Sequence, residues 1–352
     1  MGNVKAHRTV LLCGYYGFGN GGDEALLAVL LQLLPVDVTP IVLSANVSET
    51  QALHRVMAVN RQQFGQLLQT IRQCQGFIWG GGSLMQDSTS VISPLYYGGL
   101  MLWAQIWGLK TVAWAQGIGP LTRPFSQWWT AWLFSRCSVV TVRDSQSAAW
   151  LQKRQISYSQ APDPVWALTT IAYAEELPDQ RVAICLRPHA SLTPRGLSLL
   201  TAALVDFQKA TDTFIVLIPF QKSKDVPLAT LLQAHLPKVS KTVYLENPRQ
   251  LKGFFETVEM TIAMRLHALI MAAAAGSKCF ALSYDPKVQA LAKELTLPHW
   301  ILPDLPNTAS EMTQAWLDLY THGQALSPKR IQGICQATQA HQNALSIFPQ
   351  AH

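Results

Sequence analysis

Thr9-Val10-Leu11-Leu12-Cys13 runs straight into Gly14-Tyr15-Tyr16-Gly17-Phe18-Gly19-Asn20-Gly21-Gly22-Asp23-Glu24, and from Ala25 to Leu34 every residue but one Gln is apolar. A short aliphatic run, a glycine loop and a helical stretch make the first half of a βαβ unit. Five of the nine positions from Gly14 to Gly22 are glycine. Such a loop brings backbone amides up to a ligand, and at a helix N-terminus it suits an anion or a polar sugar. The Gly-Lys-Ser/Thr ending of a Walker A loop is absent, and the dinucleotide fingerprint fits poorly. Asp23 and Glu24 argue against a phosphate directly at that helix start. Asp23 is either a helix cap or, with Glu24, a general base or hydroxyl-binding group for a sugar acceptor.

Outward from this loop the βα rhythm continues. Further strands are predicted at Pro40–Ser44, Gly76–Trp79, Thr111–Gln116 and Val139–Arg143. After Asp163-Pro164 and the acidic Ala174–Pro178 a second series is predicted at Arg181–Leu186, Phe214–Pro219, Thr242–Leu245, Met260–Ala263 and Cys279–Tyr284. A chain of 352 residues exceeds what one core usually supports. The expectation is an α/β protein of two Rossmann-like domains facing across a cleft, the GT-B architecture. An N-terminal domain (1–175) forms the acceptor side and a C-terminal domain (176–352) the donor side, linked around Leu177-Pro178-Asp179. Ligands in such sheets bind beyond the carboxyl ends of the strands.

Composition removes several classes. The chain is 49% hydrophobic and 14% charged, which excludes disorder. A formal charge of +6 favours anionic ligands or a membrane surface, but no run of basic residues marks a nucleic-acid stripe, so no nucleic-acid partner is expected. Six cysteines without a CxxC pair predict neither a zinc site nor a disulfide framework. Met1–Ala6 has no secretory apolar region, no apolar stretch is long enough to span a bilayer, and the cytoplasm is the default location. The aromatic stretch Phe125–Phe134 reads first as a helix packed on the first sheet, and second as peripheral contact with a membrane bearing a lipid-linked acceptor.

Other strand ends carry candidate chemistry. Gly80-Gly81-Gly82-Ser83 follows one strand, and three successive glycines there point to backbone approach to a ligand or to a tight structural turn. Gln116-Gly117-Ile118-Gly119-Pro120 and Arg143-Asp144-Ser145 follow the next two. Gly19, Asn20, Gly81, Gly82, Ser83, Gln116 and Gly117 are accordingly candidates for substrate contact. In the second half Met264-Arg265-Leu266-His267 opens a small-residue helix, so Arg265 and His267 sit where an anion is favoured, and Tyr284-Asp285-Pro286-Lys287 places Lys287 at the next strand end. A His among apolar residues and a surface Lys also have purely structural readings.

Taken together with Asp163-Pro164-Val165, these segments resemble the polysaccharide pyruvyl transferase family, in particular its CsaB-type members, from residue 14 to about residue 298. The resemblance implies a GT-B-like fold, phosphoenolpyruvate as donor substrate, no metal or other cofactor, and a lipid-linked or nucleotide-linked sugar of a cell-surface polysaccharide as acceptor. It associates Arg265, His267 and Lys287 with the donor and matches Arg143 to the arginine of the Arg-Asp-Ser motif. The sequence departs from the pattern at Gly276-Ser277-Lys278, which leads into a strand and touches no proposed ligand.

The chemistry suits these side chains. A carboxylate and a phosphate on one small molecule require two or three cations, for which Arg143, Arg265 and Lys287 are the candidates. Ketal formation needs a proton on the methylene carbon, with His267 the candidate acid and Asp23 or Glu24 the base. Two rivals remain at this level: a GT-B nucleotide-sugar glycosyltransferase, and a non-catalytic sugar- or nucleotide-binding subunit.

Overall fold

The computed structural model describes residues 8–348 except 89 and 91, so the N-terminal segment Met1–Ala6 read above lies outside the described residues. The chain divides into two units: the first holds residues up to 18, 23–168 and those from 333 onward, and the second holds 19–22 and 169–332.

The first unit is built on seven parallel strands: β1 (Arg8–Cys13), β2 (Val38–Ser44), β3 (Met57–Asn60), β4 (Gly76–Trp79), β5 (Lys110–Gln116), β6 (Val139–Val142) and β7 (Ser159–Gln160). Their order is β3-β2-β1-β4-β5-β6-β7. The central strands are continuous apolar runs because helices cover both faces, and Leu11, Leu12, Phe77, Ile78 and Ala113 are fully buried. The second unit repeats the scheme with β8 (Arg181–Cys185), β9 (Phe214–Leu217), β10 (Ser240–Thr242), β11 (Met260–Ala263), β12 (Lys278–Ser283) and β13 (His299–Ile301), in the order β10-β9-β8-β11-β12-β13, all parallel.

In each unit the chain starts in mid-sheet, builds outward and then crosses back, so the direction of progress reverses between β1 and β4 and again between β8 and β11. The helices leaving these strands diverge to opposite faces and leave the carboxyl ends uncovered, which is where ligands of such sheets bind. Nine of the ten predicted strands are present with ends shifted by no more than two residues, whereas the one expected at Thr242–Leu245 forms earlier, at Ser240–Thr242. The strands β3, β7 and β13, which the sequence did not suggest, all lie at sheet edges. No helix among the described residues is long and apolar enough to cross a membrane.

The division of the chain differs from the expected 1–175 and 176–352. Ile171 already belongs to the second unit: its amide donates to the Arg249 carbonyl at 3.1 Å and its own carbonyl packs on Gly253. The last residues leave the second unit for the first. Trp114 Nε1 donates to the His341 carbonyl at 2.9 Å, and Phe348 lies so close over Gly76 that an added Cβ would come within 2.3 Å of its ring. His341 is fully buried, with Nε2 3.0 Å from the Pro162 carbonyl and Nδ1 2.9 Å from Thr141 Oγ1. A carbonyl only accepts, so Nε2 carries the proton and Nδ1 receives the threonine hydroxyl: the ring is neutral. Beside it Arg143 Nη1 meets Asp163 Oδ2 at 2.6 Å, both side chains 6% exposed, and Asp163 Oδ1 caps the turn Pro164–Ala167 through the Val165 amide.

Burial drives the His341 imidazole down from 6.5 to about 4. Between those values the unfolded chain binds the extra proton, so stability is complete above about pH 6.5 and falls as pH drops towards 4, by up to about 3 kcal/mol. Thermal melts from pH 8 to 5 should show this loss. His341→Phe should melt lower than the parent at pH 8 and lose less on acidification; equal pH slopes would deny the buried neutral ring.

Candidate functional site

At the reversal point of the first sheet the loops after β1 and β4 lie side by side, the Gly80 amide donating to the Cys13 carbonyl at 2.9 Å. Two of the three successive glycines have a packing explanation. A Cβ on Gly80 would stand 2.0 Å from Tyr16 Oη, and one on Gly81 would stand 2.8 Å from Leu26. Gly82 differs. Its φ of +119° is glycine territory, its carbonyl accepts the Gly117 amide at 2.8 Å, and the atom nearest to its empty Cβ position is Asp23 Oδ1 at 3.4 Å. Ser83 follows, half-buried. Gln116 is fully buried between the strands, its amide donating to the carbonyls of Trp79 (3.3 Å) and Trp114 (2.9 Å) while its Oε1 has no partner.

The two acidic residues of the first loop are placed differently. Glu24 is 5% exposed and fully engaged: Oε1 accepts the Gly17 amide at 2.8 Å and Oε2 lies 2.9 Å from His54 Nε2. It holds the turn at Gly17, whose φ is +75°. Asp23 is half-buried and lies by Gly82. On the same unit Tyr15 stacks on Phe18 at 4.1 Å, and the guanidinium of Arg61 lies 5.0 Å over the Phe18 ring and 4.6 Å over Tyr96. Phe18 is 36% exposed, an apolar ring face with a cation beside it.

The middle of the glycine loop belongs to the second unit. The Gly21 amide donates to the Phe220 carbonyl at 2.8 Å, Asn20 forms an antiparallel bridge with Gln221, and Asn20 Oδ1 accepts the Gly22 amide at 3.2 Å. Gly19 lies under Tyr244, whose hydroxyl would be 3.4 Å from an added Cβ. A Cβ on Gly22 would fall 2.3 Å from His267 Nδ1. The imidazole therefore rests on bare backbone at position 22.

Three adjacent strands of the second sheet, β8, β11 and β12, carry basic side chains beyond their carboxyl ends. After β8 comes Arg187, whose Nη1 donates to Tyr284 Oη at 2.9 Å and whose Nε is buried without a partner. His189 packs its ring on Tyr284 at 4.6 Å. After β11 come Arg265 and His267, the cap and second residue of the helix Leu266–Ala274. After β12 comes Lys287, half-buried in the first turn of the helix Pro286–Leu295, where Asp285 Oδ1 accepts its amide at 2.8 Å. Two helix N-termini add their partial positive charge to this row.

The arginines taken from sequence as ligand-holding cations already face carboxylates. Arg143 pairs with Asp163 as described. Arg265 is 7% exposed, and its Nη2 lies 2.5 and 2.7 Å from the oxygens of Asp225, which is 1% exposed and also accepts the Phe220 and Gln221 amides. Arg265 thus ties the end of β11 to the turn after β9, with its Nε left unpaired. Arg187 escaped notice in the sequence although it follows a predicted strand. The rule that strand ends carry the chemistry would have found it. Burial pushes the thiols of Cys13 and Cys279 up to about 12, so neither supplies a thiolate nucleophile.

Comparison with known folds agrees with this architecture. A UDP-GlcNAc 2-epimerase from Methanocaldococcus jannaschii superposes with a TM-score of 0.65 at 10% identity, covering 98% of this chain and 100% of that one. The glycosyltransferase SnogD from Streptomyces nogalater gives 0.55 at 12% identity, over 98% and 99% of the two chains. HepE from Anabaena, solved in complex with UDP, gives 0.55 at 11% identity, over 97% and 95%. At such identities the likeness concerns the fold alone: two parallel α/β sheets of the GT-B kind. No curated protein sequence matches the chain. The family model of the polysaccharide pyruvyl transferases, however, matches residues 20–286, from Asn20 in the glycine loop to Pro286 before Lys287. That span holds almost every loop described above, and the chain belongs to the polysaccharide pyruvyl transferase family.

Proposed function

We propose that this protein transfers the pyruvyl group of phosphoenolpyruvate to a sugar of a cell-surface polysaccharide or its precursor, forming a pyruvate ketal and releasing phosphate. The CsaB-type motifs favour this reading. The observation that carries it is the row of basic groups at the ends of β8, β11 and β12: Arg187, Arg265, His267 and Lys287, set among two helix N-termini. A three-carbon molecule with a carboxylate and a phosphate needs such a row, and an uncharged sugar does not.

The reaction can be written for these side chains. His267 protonates the methylene carbon as one sugar hydroxyl bonds to the central carbon and gives up its proton to a base. A second hydroxyl then bonds to that carbon, loses its proton, and phosphate leaves with the pair of electrons of its C–O bond. Asp23 is the base and Glu24 the positioning residue, because both oxygens of Glu24 are spent on Gly17 and His54 while Asp23 is half-buried beside Gly82. The Phe18 ring with Arg61 offers the acceptor sugar an apolar platform and a cation. Arg187 and Lys287 hold the donor, Arg187 oriented by Tyr284 and Arg265 by Asp225. Arg143, matched by Asp163, shapes the first unit.

Incubation with phosphoenolpyruvate should release inorganic phosphate only when an acceptor from a panel of lipid-linked and nucleotide-linked sugars is present. Release of a nucleoside diphosphate from a sugar nucleotide would replace this reading with glycosyl transfer. His267→Ala should lower kcat by about 100-fold to 10,000-fold with an unchanged melting temperature.

Two further variants separate the roles. Gly22→Ala forces the His267 ring off its seat, so kcat should fall by at least about tenfold while the fold survives. Near-parental turnover would mean that the His267 position is immaterial. Arg187→Gln should raise KM for phosphoenolpyruvate by about 10- to 100-fold, the worth of a hydrogen bond to a charged group. An unchanged KM would remove Arg187 from the donor site.

A further inference from the structure

The positive excess of this protein is concentrated in one stretch. Between Thr50 and Pro162 stand nine Lys and Arg and two Asp, a net of +7 where the whole chain carries +6. Asp87 accepts the Thr122 and Arg123 amides at 2.8 and 3.0 Å, and Asp144 Oδ1 caps the helix Ser145–Gln152. Arg143 is buried against Asp163, so the excess rests on the other Lys and Arg of the stretch.

The same stretch holds two surface helices without a charged residue, Ile92–Ile106 and Pro124–Ser135. They lie side by side, Trp129 Nε1 donating to the Pro94 carbonyl at 3.1 Å and Gln105 Nε2 to the Leu133 carbonyl at 3.1 Å, with Gly98 admitting the Trp129 ring. Their outward positions are apolar. Ile92 is 72% exposed, Ile106 68%, Trp128 58% and Phe125 56%. The rings of Phe125, Trp128, Trp129 and Trp132 lie against one another with neighbouring centroids 5.7 to 6.5 Å apart. Arginines frame it. Arg123 caps the second helix at one end and Arg136 at the other, the latter 4.8 Å over Trp132, and Arg72 lies 4.2 Å over Trp107 at the end of the first helix.

We infer that this two-helix face docks on a bilayer surface that contains anionic lipid. Exposed Trp and Phe flanked by cations are the composition of an interfacial surface, in which rings enter the headgroup boundary while arginines meet phosphates. A second copy of the chain fits less well. A twofold contact through this face would set each arginine frame against its own image. Nucleic acid fits less well too, since these rings already lie against one another rather than standing apart as platforms for bases. The inference does not depend on the transfer chemistry and is tested without an activity assay.

The full chain is sedimented with phosphatidylcholine vesicles with and without phosphatidylglycerol, at low and high salt. Binding should require phosphatidylglycerol and weaken with salt. The double variant Phe125→Ser/Trp128→Ser should bind at least about tenfold more weakly with an unchanged melting temperature. Arg123→Gln/Arg72→Gln should lose affinity mainly at low salt, where the charge contribution is largest. Failure of the parent chain to bind anionic vesicles overturns the proposal. So does a dimer in solution that the Phe125/Trp128 variant dissociates while vesicle binding is absent in both, since the face would then belong to a second copy.

Discussion

A parallel strand delivers every chain crossing to the same edge of its sheet, and from this follows where the chemistry of this protein can stand. In both units the chain begins in mid-sheet and later returns beside its first strand, so β1 abuts β4 and β8 abuts β11 with their following helices on opposite faces. The backbone there is held by small residues and internal hydrogen bonds. In the first unit these are the glycines after β1 and β4; in the second they are the turns fastened by Asp225. The loops of interest are thus where the topology leaves room.

Buried charge sorts the polar residues into two kinds. A buried ion contributes only if it is paired, and removal of one partner costs several kcal/mol because the other is stranded. Arg143 with Asp163 and Arg265 with Asp225 are such pairs, and the hydrogen-bonded Glu24 and His54 are as nearly inaccessible. Each joins two elements distant in sequence, which is a structural service whatever else the residues do. Asp23, His267 and Lys287 are by contrast half-buried, and Arg187 keeps Nε unmatched.

The inner strands could be read from the sequence because burial on both faces makes them unbroken aliphatic runs, as in Phe77-Ile78-Trp79 or Met260–Ala263. The edge strands could not. Ser159–Gln160 is exposed and polar, and Met57–Asn60 and His299–Ile301 face solvent in part, so they pair without carrying the apolar signal. The return of the tail was equally hidden, since it rests on His341 and Phe348, single residues in a polar helical segment with no buried stripe from Pro328 to Ala337. For the glycine loops the location was legible but the reason for each glycine was not. Gly80 and Gly81 exist for Tyr16 and Leu26, and Gly22 for His267, contacts between residues far apart in the chain.

The neighbours Asp23 and Glu24 show why residue type alone cannot assign a role. Consecutive positions in a helix point about 100° apart, so one faces inward where the other cannot. Glu24 turns to the core, and its carboxylate is affordable there only because an amide and an imidazole receive its two oxygens. Asp23, one position earlier, turns towards Gly82, the one glycine of its triplet that packing does not explain. Glu24, with both oxygens engaged, cannot move without releasing the turn it holds. The same helix start therefore separates a carboxylate buried in the loop that it builds from one that keeps part of its surface exposed.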